Sequence, residues 1–135
     1  TSQTHSGDQS AIDALLVGTG GCIGAVSRYG VLVGVSRVLS QPTFPWGVLV
    51  VNVVGSLIIG ALAGFAETRQ VFSAEARLFL FIGVLGGFTT FSSISNDTLA
   101  LLRNSDYLGA VGNIALSVIL GLTAVAIGYL GARAL

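Results

Sequence analysis

Charge is what this chain has least of. Only 9% of its 135 residues are charged, against about one quarter in an ordinary soluble domain, and lysine is absent altogether. Six arginines balance six aspartates and glutamates, so no basic surface exists to hold a nucleic-acid backbone, and nucleic acid is excluded as a main partner. Cysteine occurs once, at Cys22. A lone cysteine cannot close an internal disulfide, and in an apolar stretch it reads as a packing residue. The single histidine, His5, has no cluster of Cys, Asp or Glu at metal-ligand spacing around it. No Walker-type glycine loop and no Ser, His and Asp set is present, which argues against a nucleotide-driven pump or a hydrolytic enzyme.

What fills the chain instead is apolar: 53% hydrophobic residues and 19 glycines, with a mean hydropathy of +0.87. Because a spanning helix needs roughly 20 largely apolar residues, the positions of charge, proline and turn residues divide the chain into spans near 11–35, 46–66, 75–102 and 107–133. Residues 1–10 read as a polar tail, and 11–135 as one four-span domain in a lipid bilayer. The connections carry Arg37 and both prolines (36–45), Glu67 and Arg69 (67–74), and a short turn near 103–106. The fold class is therefore an all-α membrane protein with four transmembrane helices, since backbone in lipid must satisfy its own hydrogen bonds. A β-barrel would need period-two segments, which are missing.

Positive residues usually settle orientation. Here Arg37 and Arg103 lie on one side of the membrane, against Arg69, Arg77 and Arg133 on the other. That balance leaves two arrangements open: one orientation fixed by weak cues, or insertion both ways with an antiparallel dimer about an in-plane axis. Small residues recur four apart at Gly20 and Gly24, Gly30 and Gly34, Gly60 and Gly64, and Gly83 and Gly87. This spacing lets helix backbones approach closely in lipid.

Residues that stay polar inside apolar spans are costly unless paired or facing water or a solute. Arg28 lies deep in the first span, where it suits a structural or vestibule role, with snorkelling to the interface as the alternative. Asn52 and Ser56 share one face of the second span, and Asn113 and Ser117 repeat that spacing in the fourth. The third span contains GVLGGFTTFSSISND, residues 83–97. Its glycine pair weakens a helix and its hydroxyls can satisfy freed backbone groups, so a break is expected within 86–91. A continuous helix with back-bonded hydroxyls is the alternative. Neutral donors at Asn52, Thr90, Ser92, Ser93, Ser95 and Ser117, with phenylalanine ring edges, suit a small, strongly hydrated anion. Asp97 is the one interior carboxylate, which weighs against proton-coupled export of cations.

Three motifs occur in order: GGCIGAVSRY at 20–29, PWGVLVVNVVGSLIIG at 45–60, and GVLGGFTTFSSIS at 83–95. Together they resemble the Fluc (CrcB) family of bacterial and archaeal fluoride channels, whose patterns read GG-x-x-GA-x-x-RY, PxGTLxVNxxGxxxxG and GxxGGFTTFSTFS. The resemblance implies a four-helix subunit with a broken third helix, assembled as an antiparallel, dual-topology homodimer in a prokaryotic cell membrane. It further implies two fluoride pores, passive export of cytoplasmic fluoride, and a structural sodium ion at the dimer interface. By position, the sodium-binding carbonyls fall on Gly86 and Thr89, the pore asparagine on Asn52, and the span-one arginine on Arg28. The first pore phenylalanine falls on Phe91, followed by Ser92 and Ser93, with Ser117 and Thr123 as fourth-span candidates. Two departures stand out. Ile94 replaces the second pore phenylalanine, and Asp97 replaces a glutamate to which a vestibule or hydrogen-bonding role is assigned. The competing readings are a small alternating-access exporter and a non-transporting membrane subunit.

Overall fold

A computed structural model describes residues 2–40 and 43–135, with side chains from residue 5 onward. Helices account for all the regular structure among the described residues: α1 (Ser2–Val38), α2 (Trp46–Arg69), α3 (Ala74–Arg77), a π-helical stretch (Leu78–Leu85), α4 (Gly86–Phe88), α5 (Phe91–Arg103) and α6 (Tyr107–Ala134). Four segments are long and apolar enough to cross a bilayer: His5–Val38, Trp46–Arg69, Ala74–Arg103 and Tyr107–Ala134. The polar stretch expected as a tail is helical, running without interruption into the first span. Nothing in it breaks a helix, and one-turn contacts support it: Gln9 Nε2 donates to Asp13 Oδ1 at 2.9 Å, and Ser10 Oγ to the Ser6 carbonyl at 3.0 Å.

Local chemistry explains where the later helices begin. Ser73 accepts from the Ala76 amide at 3.1 Å to start α3, and Asp106 accepts from the Gly109 amide at 2.9 Å to start α6. Each supplies an acceptor to an amide that a helix start leaves without a partner. The turn between α5 and α6 is tight enough to place Ser105 at φ 59°.

Two helix pairs make up the fold. In one, α2 lies against α6, and glycines bring the backbones together. A Cβ at Gly60 would overlap the Val125 carbonyl, and one at Gly128 the Leu57 carbonyl. In the other, α1 crosses the π stretch and α4. Here Gly20 and Gly24 face Gly83, Val84 and Phe88, while Gly87 abuts Gly21. In lipid, where neither tails nor leucines drive helices together, such close contact is what dispersion attraction can use. Gly30 and Gly34 have the same spacing yet meet nothing within 4 Å among the described residues. Side chains that are fully enclosed are few, led by Val51 and Asn113. Long apolar side chains such as Ile119, Leu122 and Leu130 point outward, as expected where the surroundings are hydrocarbon.

Candidate functional site

The site begins with a fault in the third span. Phe88 ends α4, and the next two residues are extended, Thr89 at φ −83°, ψ 156° and Thr90 at φ −154°, ψ 118°. Ahead of it the backbone is already unwound to the wider π pattern: the Gly86 amide reaches the Phe81 carbonyl, five residues back. Gly86 and Gly87 remain helical themselves. A Cβ at Gly55 of α2 would overlap the Thr89 methyl and press on the Phe88 ring, so the glycine in α2 makes room for this bend.

Asn52 of α2 closes the gap in the backbone ladder. Its Nδ2 donates to the Thr90 carbonyl at 3.0 Å, and its Oδ1 accepts from the Thr90 amide at 2.9 Å. This reciprocal pair treats one extended residue as a strand neighbour would, and satisfies groups that would be costly to leave bare in a membrane. The Asn52 amide still carries a second N–H, since NH2 offers two donors and one is engaged here.

On the far side of the fault Thr90 caps α5. Its Oγ1 accepts from the Ser93 amide at 3.2 Å, donates to Ser93 Oγ at 3.2 Å, and lies 3.1 Å from Ser92 Oγ. The hydroxyls of Ser92 and Ser93 are thus engaged locally, and Ser92 is exposed. Further along α5, Ser95 donates back to the Phe91 carbonyl at 3.1 Å, and Thr98 to the Ile94 carbonyl at 2.7 Å.

A cavity of about 310 Å³ lies against the fault, and Asn52, Thr90, Phe91, Ile94 and Ser117 are among the residues lining it. Ser56 also lines it, one turn beyond Asn52 on the same face of α2. A neighbouring cavity of about 410 Å³ shares Phe91, Ile94 and Ser117 and continues along α5 and α6 past Thr98 and Val118. Ser117 Oγ is buried and has no hydrogen-bond partner among the described residues. A buried hydroxyl without a partner is unusual in a folded chain and leaves a donor open to whatever enters the cavity, water included.

Of the residues singled out from sequence, Asn52, Phe91, Ile94 and Ser117 are therefore gathered around one space, whereas Ser92 and Ser93 do not line it. Phe91 is 80% exposed, so most of its ring lacks protein cover. Thr123 donates to the Ile119 carbonyl at 2.7 Å, on an exposed face of α6. Arg28 is half-buried, lies one turn beyond Gly24, and lines neither cavity. Asp97 borders a different cavity, beside the first connection.

One pairing had no counterpart in the sequence reading of the site. Asn113, 1% exposed, donates from Nδ2 to Thr98 Oγ1 at 3.0 Å and more weakly to the Ile94 carbonyl at 3.4 Å. It holds α6 against the turn of α5 that carries Ile94. The polarity of Asn113 was visible, but its partner 15 residues away was not.

Residues 15–129 match the family described as CrcB-like protein, Camphor Resistance (CrcB). Similar curated proteins include one from Opitutus terrae, 48% identical over 120 residues, covering 87% of this chain and 90% of the relative. A protein of Rhizobium meliloti is 47% identical over 122 residues, covering 90% and 96% of the two chains. One from Agrobacterium fabrum is 51% identical over 112 residues, covering 82% and 85%. Each of these relatives is named fluoride-specific ion channel FluC.

Proposed function

Because the chain belongs to the CrcB family, a family of ion channels and not of enzymes, and is a multi-pass protein of a bacterial membrane, we propose that it is a passive, fluoride-selective channel. It exports cytoplasmic fluoride down its electrochemical gradient and so limits fluoride toxicity. The observation that carries this reading is Ser117 Oγ, buried and unpartnered beside a cavity that also meets Asn52, Thr90 and Phe91.

Fluoride is small and tightly hydrated, so its path must replace water with donors at each stage. The free N–H of Asn52, the hydroxyl of Ser117 and the positive edge of the Phe91 ring supply these without a fixed positive charge that would trap the ion. Ile94 gives the cavity an apolar wall where the family pattern has a second aromatic edge. Arg28 raises the potential of the approach rather than touching the ion in the cavity.

The working unit in this reading is an antiparallel, dual-topology homodimer with two pores, and three arginines against two across the membrane set no strong preference for either orientation. The uncovered side of Phe91 is then completed by the second subunit. A structural sodium ion belongs to the same interface, held by the carbonyls of Gly86 and Thr89 from both subunits. The residues suit it. In an unbroken helix the Thr90 amide would reach Gly86 O and the Ser93 amide Thr89 O, but these amides go to Asn52 Oδ1 and Thr90 Oγ1. Two carbonyls are thereby freed at the fault, the kind of unwound backbone that coordinates sodium in transporters. When bound, the ion would compensate their negative ends and tie the two subunits together.

The test is ion efflux from liposomes containing the purified protein, followed with fluoride-selective and chloride-selective electrodes while valinomycin carries potassium counter-charge. Fast fluoride efflux with negligible chloride efflux is expected. No fluoride efflux from folded, dimeric protein would overturn the reading. Saturating transport coupled to a proton gradient would replace it with the exporter.

A further inference from the structure

A third cavity, of about 260 Å³, lies between the end of α1, the first connection and α5, and shares no lining residue with the cavity at the fault. Asp97 borders it, with Ser36, Thr43, Phe44, Trp46 and Asn104 among its neighbours. Neither carboxylate oxygen of Asp97 has a hydrogen-bond partner among the described residues, and Oδ2 is shielded from solvent. Oδ2 thus lacks both a donor and water, while Oδ1 is not enclosed in this way; a cation entering the cavity meets a carboxylate that the chain leaves unused.

The rest of the wall says what kind of cation. The Phe44 and Trp46 rings sit 4.7 Å apart between centroids, tilted by 52°, and offer aromatic surface beside the carboxylate. Ser36 Oγ donates to the Val33 carbonyl at 2.9 Å, which leaves its lone pairs as unused acceptors. A strongly hydrated alkali ion gains little from rings and needs a cage of oxygens. A planar, weakly hydrated cation with several N–H donors gains from both parts, bonding the carboxylate along its edge and stacking its face on the aromatics. The space is large enough for such a small ion and too small for a side-chain-sized drug with several rings.

We infer that this cavity is a binding site for a small organic cation of the guanidinium class, with Asp97 as its counter-charge and Phe44 and Trp46 as its aromatic wall. Trp46, 42% exposed, begins α2 beside the site. The site shares no lining residue with the cavity at the fault, and its occupation does not depend on whether the protein conducts.

Trp46 is the only tryptophan in the chain, so its emission reports on this wall alone. The experiment titrates the full-length protein in detergent with guanidinium chloride at low millimolar concentration, with sodium chloride titrated in parallel at matched ionic strength. A saturable change in emission with guanidinium and none with sodium is expected. Asp97→Asn weakens the apparent affinity roughly tenfold or more by removing the charge-assisted bonds, whereas Asp97→Glu retains saturable binding. Phe44→Leu weakens it roughly threefold through loss of ring surface, and it carries the test if Asp97→Asn does not fold. No saturable response in the unaltered protein, an equal response to sodium, or unchanged affinity in the folded variants would overturn the proposal. Because the readout is fluorescence and not flux, its failure is distinguishable from failure of the channel reading.

Discussion

The third span has two halves, and they are held in place by different forces. Before the fault, Leu78–Leu85 and Gly86–Phe88 are apolar apart from backbone, and they are fixed by backbone running close to α1 at Gly20, Gly24, Gly83 and Gly87. After it, α5 carries hydroxyls, an amide and a carboxylate, and it is tied to its neighbours by side chains: Asn113 to Thr98, and Asn52 to the backbone of Thr90. Shape fixes the first half and hydrogen bonds fix the second. Backbone packing has no small adjustments available, while a side-chain bond can be lost or exchanged one at a time. The chain thus sets a rigid member beside a tunable one and puts its candidate site where they meet.

The contrast can be broken most forcefully at Gly24. A Cβ there overlaps the Val84 carbonyl and crowds the Phe88 amide, both backbone atoms with no means of swinging aside. Gly24→Val is expected to cost about 3 kcal/mol, seen as a lower thermal midpoint in detergent or loss of folded protein. A normal midpoint would mean that the first half is not fixed by backbone contact.

Asn52→Asp acts at the junction. It keeps the acceptor for the Thr90 amide but loses the donor to the Thr90 carbonyl and brings potential negative charge to the cavity. Fluoride efflux should fall roughly tenfold or more, equivalent to about 1.4 kcal/mol on the barrier, and unchanged flux in folded protein would remove Asn52 from the path. In the second half, Asn113→Leu should lower stability by about 1 kcal/mol. Combining it with Thr98→Val should cost less than the sum of the two, because both remove the bond that the side chains share; fully additive losses would show that the two side chains act separately.

The smallest effect on stability is expected at Ser117. Its hydroxyl has no partner among the described residues, so Ser117→Ala should change stability by no more than about 0.5 kcal/mol. Fluoride efflux should nevertheless drop severalfold. Equal efflux in the two proteins would show that the hydroxyl is not used by the ion.

Hydropathy alone was enough to locate four apolar spans, because a bilayer imposes length and composition on each helix by itself. Pairing is another matter. Gly20 with Gly24 and Gly30 with Gly34 have the same spacing, yet the first pair meets a helix and the second meets open space among the described residues. Nothing local distinguishes them, since the outcome depends on where the third span crosses. The polarity of Asn52 was legible, but its use was not: the bonds it makes are to backbone 38 residues away, which no side-chain pattern announces. Ser92 and Ser93 look from sequence like Ser117, a hydroxyl in an apolar run. They differ because Thr90 stands two and three residues before them and takes up their hydroxyls, while Ser117 has no such neighbour. The aromatic wall beside Asp97 was likewise hidden, since it forms only when the first connection folds over α5.

The wide-turned stretch Leu78–Leu85 also bears on tolerance of deletions. A helix wound at five residues per hydrogen-bonded ring uses more chain per turn than one wound at four, so this stretch holds slack. Loss of a residue there can be taken up by tightening the winding, without rotating Phe91 or Ile94 away from their cavity. A deletion anywhere in α5 has no such reserve and turns every following side chain by about 100°. The third span of this chain therefore has one place where a lost residue can be absorbed while the residues around the cavity keep their bearings.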